Sequence, residues 1–312
     1  MYYIGIDLGG TNIAAGIVDE NRKIICTDSK PTLPPIASAI ALQIVKDMAD
    51  LCSELIDKAE LTVSDISGIG IGSPGTIDNK NGVVVYANNL GWYDVPLAAE
   101  LNKYINVPVN IENDANAAAY GEFVECGGDV DSFVAITLGT GVGGGVIIDR
   151  KIYRGFNGAG GELGHTVLIH GGEPCTCGND GCWESYASVT ALIRQTKAAI
   201  AAHPESIMAK DEKVSGRTAF NAAKAGDKAG QEVVDKYIEY VASGITNIIN
   251  IFQPNILVIG GGISKEGDYL LNPIKEYAKK HSYCKAVAQT DIRIASLMND
   301  AGIIGAALAC EQ

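Results

Sequence analysis

The sequence predicts an α/β protein of two lobes built from related units, and three observations carry that expectation. The chain has 312 residues, more than the ~250–300 at which a single hydrophobic core stops growing. Strand-like and helix-like stretches alternate along it. The segment "YIGIDLGGTNIAAGIVD" (3–19) is echoed by "SFVAITLGTGVGGGVIID" (132–149): an apolar strand, a turn containing Gly and Thr, and a second apolar strand ending in Asp.

The elements follow in order. Residues 2–7 and 13–18 flank "LGGTN" as a hairpin, and 23–28 adds a third strand. After Pro35, the residues Ile36, Ile40, Ile44, Met48, Leu51, Leu55 and Ala59 recur at helical spacing, which predicts a long amphipathic helix with a core-facing stripe. "ISGIGIGSPG" (66–75) is a buried strand ending in a tight loop, and "VPVNIENDANAAAYGEF" is a strand running into a helix after Asn113. Beyond the second glycine hairpin, helices are expected at 188–202, 216–226 and 229–252, the last stopping before Pro254. "NILVIGGGIS" (255–264) is a strand entering glycines, 268–280 a helix, "DIRIAS" a strand and 301–310 a closing helix. The expected lobes are 1–117, completed by the helix 298–312, and a larger 118–297.

Composition narrows the function. With 47% hydrophobic and 20% charged residues the chain should fold around a sizeable core. A formal charge of −13 argues against a general role on nucleic acid or an anionic membrane, because phosphates would be repelled. No leader-like start and no run near 18 apolar residues is present, so a cytoplasmic, soluble protein is expected.

Several motifs carry chemistry. Glycine hairpins bring backbone N–H groups close to a phosphate, and "DLGGTN" (Asp7, Gly9, Gly10, Thr11, Asn12) and "LGTGVGGG" (Gly139, Thr140, Gly141) both qualify, with Asp7 placed to hold Mg²⁺. No Walker sequence occurs. Gly139, Gly141 and Gly144 match a dinucleotide fingerprint, yet strand-like "VIIDRKIYRG" follows where a helix is needed, so that match is a decoy. Either Asn113 or Asp114 caps the following helix, and a carboxylate there is placed to accept the proton of an attacking hydroxyl.

Of eight cysteines, Cys26, Cys52, Cys126, Cys284 and Cys310 are scattered and read as buried or incidental. Cys175, Cys177 and Cys182 are clustered in "CTCGNDGCWE", with nine residues between His165 of "GAGGELGH" and Cys175. One imidazole and three thiolates make a closed tetrahedral set, which predicts a structural Zn²⁺ that ties down a glycine-rich loop and fixes Glu184. Trp183 and His170 are read as packing and solvent.

Together, "DLGGTN", "ENDANAAA", "LGTGVGGG", "ELGH" and "CTCGNDGCWE" resemble the ROK family of repressors and sugar kinases, most closely its bacterial ATP-dependent glucokinases. The resemblance spans essentially the whole chain. It implies an actin-like, ribonuclease-H-like two-lobed fold with ATP and sugar meeting in an interlobe cleft. It implies Asp114 as the catalytic base and Asn113, Glu162, His165 and Glu184 as sugar contacts. It also implies Asp7 to Asn12, Thr140 and Gly141 as phosphate loops, and Gly261 and Gly262 of "IGGGIS" as an adenosine-side turn. "GSPGTID" matches a loop near the sugar, which makes Ser73, Gly75 and Thr76 weaker contact candidates. A homodimer or larger assembly is implied as well.

Glucose is the favoured substrate, with N-acetylmannosamine, N-acetylglucosamine, allose and fructose as alternatives inside the same class. A sugar-responsive repressor is the alternative from another class. The family's repressors carry a helix-turn-helix module ahead of the first strand, and here that strand begins at Tyr2, which weighs against it. A sugar-binding protein without catalysis is the third reading.

Overall fold

The computed structural model describes residues 1–33, 38–126 and 130–310. They divide into two compact units: Met1–Asp131 with Gly145–Gly161 and Ser296–Gln312, and Ser132–Gly144 with Glu162–Ala295.

In the first unit the alternation of Ile4, Ile6 and Leu8 with smaller residues gives a strand with two different faces. Strand β1 (Tyr2–Leu8) pairs antiparallel with β2 (Asn12–Asp19), and β2 with β3 (Ile24–Pro31). Helix α1 (Ser38–Lys58) follows, and its stripe Ile44, Met48, Leu51 and Leu55 is buried in one cluster with Ile4, Ile6 and Leu8. Ile36 of the expected stripe lies outside the described residues. Strand β4 (Ile66–Ser73) runs parallel to β1.

Next comes an arrangement the hydrophobic pattern did not disclose, a small antiparallel sheet of β5 (Thr76–Asp78), β6 (Val83–Ala87) and β7 (Trp92–Val95). Helix α2 (Leu97–Asn102) leads to β8 (Val109–Asn113), parallel to β4, and then to α3 (Asp114–Glu125). The main sheet has the order β3-β2-β1-β4-β8.

The face of this sheet opposite α1 is built for close approach. A Cβ on Gly5 would lie 1.9 Å from the carbonyl oxygen of Ile303, and one on Gly70 1.8 Å from that of Ala306. The two glycines therefore let the closing helix Ala301–Ala309 lie with its backbone directly on the strands.

The second sheet repeats the plan. Strand β9 (Phe133–Leu138) turns into β10 (Val142–Ile148), within which the chain passes from one unit to the other after Gly144, and β11 (Lys151–Ile152) pairs antiparallel with β10. Helices α4 (Glu184–Ala187), α5 (Val189–Ala202), α6 (Thr218–Lys224) and α7 (Lys228–Phe252) follow. Asp227 caps α7 by accepting from the Gly230 N–H, and the helix ends in a left-handed Gln253 just before Pro254. Strand β12 (Ile256–Gly260), helix α8 (Asp268–His281), strand β13 (Asp291–Ile294) and α9 (Ala301–Ala309) complete the chain.

The order β11-β10-β9-β12-β13 mirrors that of the first sheet, with β12 parallel to β9 and β13 parallel to β12. The sequence echo thus reflects two copies of one strand plan, each with its glycine hairpin after the first strand. Residues after Gly144 stay in strand β10, as expected of a decoy fingerprint. Among the described residues no helix is long and apolar enough to cross a membrane.

Candidate active site

In the first unit three parallel strands end side by side, and their carboxyl ends carry the candidate residues. Asp7 stands near the end of β1, Ser73 to Thr76 at the end of β4, and Asn113 and Asp114 at the end of β8. The question of which Asx residue caps α3 has a clear answer. Asn113 Oδ1 accepts from the backbone N–H groups of Ala115 (3.0 Å) and Asn116 (3.1 Å), and its Nδ2 donates to the carbonyl of Gly75 at 3.1 Å. Asp114 is freed from the cap position, and its Oδ1 accepts from Ala115 N–H at 2.8 Å.

Burial pushes the Asp114 carboxyl above the usual carboxylate range, partly offset by backbone N–H groups, Ala115's first. Asp7 rises to about 6, chiefly through burial and then through the charge of Asp114. Two partly desolvated carboxylates, the charge of Asp114 raising Asp7, make a place for a cation.

A stability consequence follows. Asp7 binds its proton more tightly folded than unfolded, so its contribution is intact below about pH 4 and is lost as pH rises through about 6. Asp7→Asn should therefore raise the melting temperature of the ligand-free protein at pH 7.5 by a few degrees, from at most about 3 kcal/mol. The gain should vanish by about pH 4 in a thermal scan series. A difference that is the same at both pH values would contradict this account of Asp7.

Gly9 closes the first hairpin with its N–H to the carbonyl of Asn12 at 2.9 Å, leaving Gly10 and Thr11 exposed at the tip. Ser73 is fully buried, with its hydroxyl on the Pro74 carbonyl at 3.3 Å, whereas Gly75 and Thr76 are partly exposed.

In the second unit the corresponding hairpin is closed by Gly139 N–H to Gly141 carbonyl at 3.0 Å. It is held by α5, whose Val189 N–H reaches Gly139 at 2.8 Å and whose Thr190 hydroxyl reaches the carbonyl of Thr140 at 2.7 Å. Gly261, in a left-handed conformation at φ 87°, turns the chain after β12 against the end of β9: a Cβ there would lie 2.2 Å from the Leu138 carbonyl oxygen. Gly262 beside it is exposed.

His165 and the three clustered cysteines converge here, with one ligand atom of each lying within 4.8 Å of all the others. His165 Nδ1 is 3.6 Å from Cys175 Sγ, and Cys177 Sγ is 3.6 Å from Cys182 Sγ. Tetrahedral zinc, with Zn–S near 2.3 Å and Zn–N near 2.0 Å, asks for edges of about 3.5–3.8 Å, so the donor set fits. Its chemistry fits too. Burial, followed by the neighbouring Cys177 and Cys175 sulfurs, pushes the Cys182 thiol up to about 12, so full ionisation of the set calls for a divalent cation.

Since Nδ1 faces the sulfurs, His165 has its Nε2 edge for a ligand. Glu162 lies one 3₁₀ turn earlier, its carbonyl accepting from His165 N–H at 3.2 Å.

Glu184 opens α4 directly after Cys182 and Trp183. Its Oε2 accepts from Val142 N–H at 2.9 Å, and a Cβ on Gly141 would sit 2.1 Å from that oxygen. A candidate sugar carboxylate and a candidate phosphate hairpin are thus joined within this unit. Trp183 is buried, donating its indole N–H to the Tyr240 carbonyl at 2.9 Å, while His170 is exposed, as their readings anticipated.

Two charged residues that sequence reasoning passed over belong to the first unit's site. Glu112, next to Asn113, is buried and paired with Arg154 at 2.6 Å. The only signal in the sequence was a carboxylate in a strand that is otherwise half apolar.

Comparison with known proteins bears on the whole chain. The model of the ROK family matches residues 3–312. A glucokinase of Halalkalibacterium halodurans is 39% identical over 97% of this chain and 93% of its own length. The crystal structure of a ROK family glucokinase from Streptomyces griseus in complex with glucose and AMPPNP covers both chains completely, at 34% identity and a TM-score of 0.84. The xylose repressor of Bacillus subtilis is 32% identical over 97% of this chain, which spans 75% of the repressor. Fold and sequence agree on an actin-like two-lobed architecture with two mixed five-stranded sheets, and the chain belongs to the ROK family.

Proposed function

We propose that this protein is an ATP-dependent glucokinase that transfers the γ-phosphoryl group to the 6-hydroxyl of glucose. One observation carries the reading: Asn113 takes over the capping of α3 and leaves Asp114 as a partly desolvated carboxylate at the end of a parallel strand. This occurs in a chain of which 97% matches a glucokinase at 39% identity.

Phosphoryl transfer needs positioning and charge neutralisation more than covalent help. Asp114 orients the sugar hydroxyl and takes its proton. Asn113, Glu162, His165 and Glu184, with weaker contributions from Gly75 and Thr76, offer the kinds of donor and acceptor that a polyol demands. The two hairpins, at Gly9–Asn12 and Thr140–Gly141, present N–H groups to the phosphates, and Gly261–Gly262 lies on the adenosine side. Asp7 would hold Mg²⁺, which neutralises charge on the phosphates when bound. His165, Cys175, Cys177 and Cys182 would hold a structural Zn²⁺ with no open position, so its part is to order the loop. A cytoplasmic enzyme that assembles as a homodimer or larger is part of the same reading.

The test is product identity. Purified protein with Mg·ATP and ¹³C-glucose should form glucose 6-phosphate and ADP one for one, followed by NMR. Glucose binding without ADP release would favour instead a sugar-responsive regulator of the kind the xylose repressor relationship suggests.

A further inference from the structure

Glu112 is only 2% exposed, yet all of its carboxylate capacity is taken up by donors from three different stretches of chain. Oε1 accepts from Asn113 N–H at 2.9 Å and from Asn116 Nδ2 at 3.2 Å, at the junction of β8 and α3. Oε2 accepts from Asn79 Nδ2 at 3.2 Å, just past β5, and Asn79 also donates to the Ile111 carbonyl at 2.6 Å. The same oxygen receives the Arg154 fork, from Nε at 2.7 Å and from a terminal nitrogen at 2.6 Å.

Arg154 begins the loop that follows β11, and its carbonyl accepts from Gly160 N–H at 2.9 Å, so the loop is closed on the residue that Glu112 grips. The loop lies on β5: Gly158, at φ 78°, would carry a Cβ 2.3 Å from the Ile77 carbonyl oxygen. Each of the three stretches bears or leads into candidate sugar contacts. Asn113 and Asp114 follow Glu112 directly, Gly75 and Thr76 precede Asn79, and Glu162 comes eight residues after Arg154.

A buried ion pair is a poor way to stabilise a fold, since an apolar replacement of like volume does as well; its distinctive yield is fixed geometry. We propose that Glu112 is a positioning residue for the sugar site, a buried hub whose carboxylate, neutralised by Arg154, holds these three stretches in register. The inference rests on the glucokinase reading for what the stretches do, and on the hydrogen bonds alone for how they are held.

The experiment pairs kinetics with native-state proteolysis in Glu112→Gln, Arg154→Lys, Arg154→Met and the Glu112→Gln/Arg154→Met double variant. Arg154→Lys keeps the charge and loses the fork, which guards against variants that fail to fold. The single variants should raise the glucose KM about 10-fold or more and leave the ATP KM within about twofold, a split that a general loss of stability would not produce. Phe156, fully exposed in the Arg154 loop, reports the hub directly: chymotryptic cleavage after it should speed up about 10-fold or more. The double variant should be less impaired than Arg154→Met, because no unpaired charge is left buried. Variants with lowered melting temperature but wild-type glucose KM and cleavage rate would overturn the proposal. A wild-type protein that phosphorylates no sugar overturns the glucokinase reading instead, and the cleavage rate then decides the hub by itself, unchanged cleavage overturning it.

Discussion

Asp114→Asn lowers turnover by about 10²–10⁴-fold while leaving glucose affinity within a few-fold of wild type. The substitution is nearly isosteric, and an amide oxygen still accepts from Ala115 N–H, a bond of 2.8 Å in the wild type, so α3 and the Asn113 cap stay in place. What disappears is the basic oxygen that receives the hydroxyl proton as the sugar oxygen attacks phosphorus. Because that proton moves in the transition state, the loss belongs in kcat and not in ground-state binding. Steady-state rates together with calorimetric titration of glucose separate the two. Near-normal turnover in this variant would remove Asp114 as the base.

The zinc loop carries the second large effect. Between Thr166 and Cys182 the chain is mostly exposed, with short bridges Val167–Cys182 and Pro174–Asp180 as its β structure. With so little apolar burial, a bound metal would supply much of the ordering free energy. Cys177→Ser removes one of four donors, and zinc content measured by atomic emission should fall well below one per chain. Glucose binding should weaken at least about 10-fold in step, since His165 is both a metal donor and a candidate sugar contact, and Glu184 is anchored to Val142 N–H from the residue after Trp183. A zinc-free variant that binds glucose with full affinity would break the link between metal and sugar site.

The parts of this protein that were legible in the sequence are those whose partners are near in the chain or repeated. The two hairpins were visible because apolar strands flank a glycine turn twice, and the metal set because His165 to Cys182 spans a single loop. The Asx pair before α3 was visible as a cap, but Asn113 and Asp114 are equally good capping residues. Only the register of β8, which brings Asn113 opposite Ser73, decides between them.

The small sheet β5-β6-β7 escaped because its strands are three to five residues long, too short for alternation to register. Its polar outer positions are held by tertiary pairing, such as the Tyr86–Tyr93 ring contact at 5.1 Å. The Glu112–Arg154 pair escaped for a related reason: 42 residues separate the partners, and each alone looks like ordinary surface charge. Long-range electrostatics leaves no period in a sequence.

The most direct measurement of the central claim is the initial rate of ADP formation from Mg·ATP by the purified protein. It should be compared across glucose, N-acetylmannosamine, N-acetylglucosamine, fructose, mannose and allose at equal subsaturating concentration. The account predicts the highest kcat/KM for glucose, since the proposed sugar contacts Asn113, Asp114, Glu162, His165 and Glu184 would lose partners when a hydroxyl is missing or misplaced. A higher value for another hexose would contradict the assignment of glucose, and no ADP with any of the six would contradict a sugar kinase altogether.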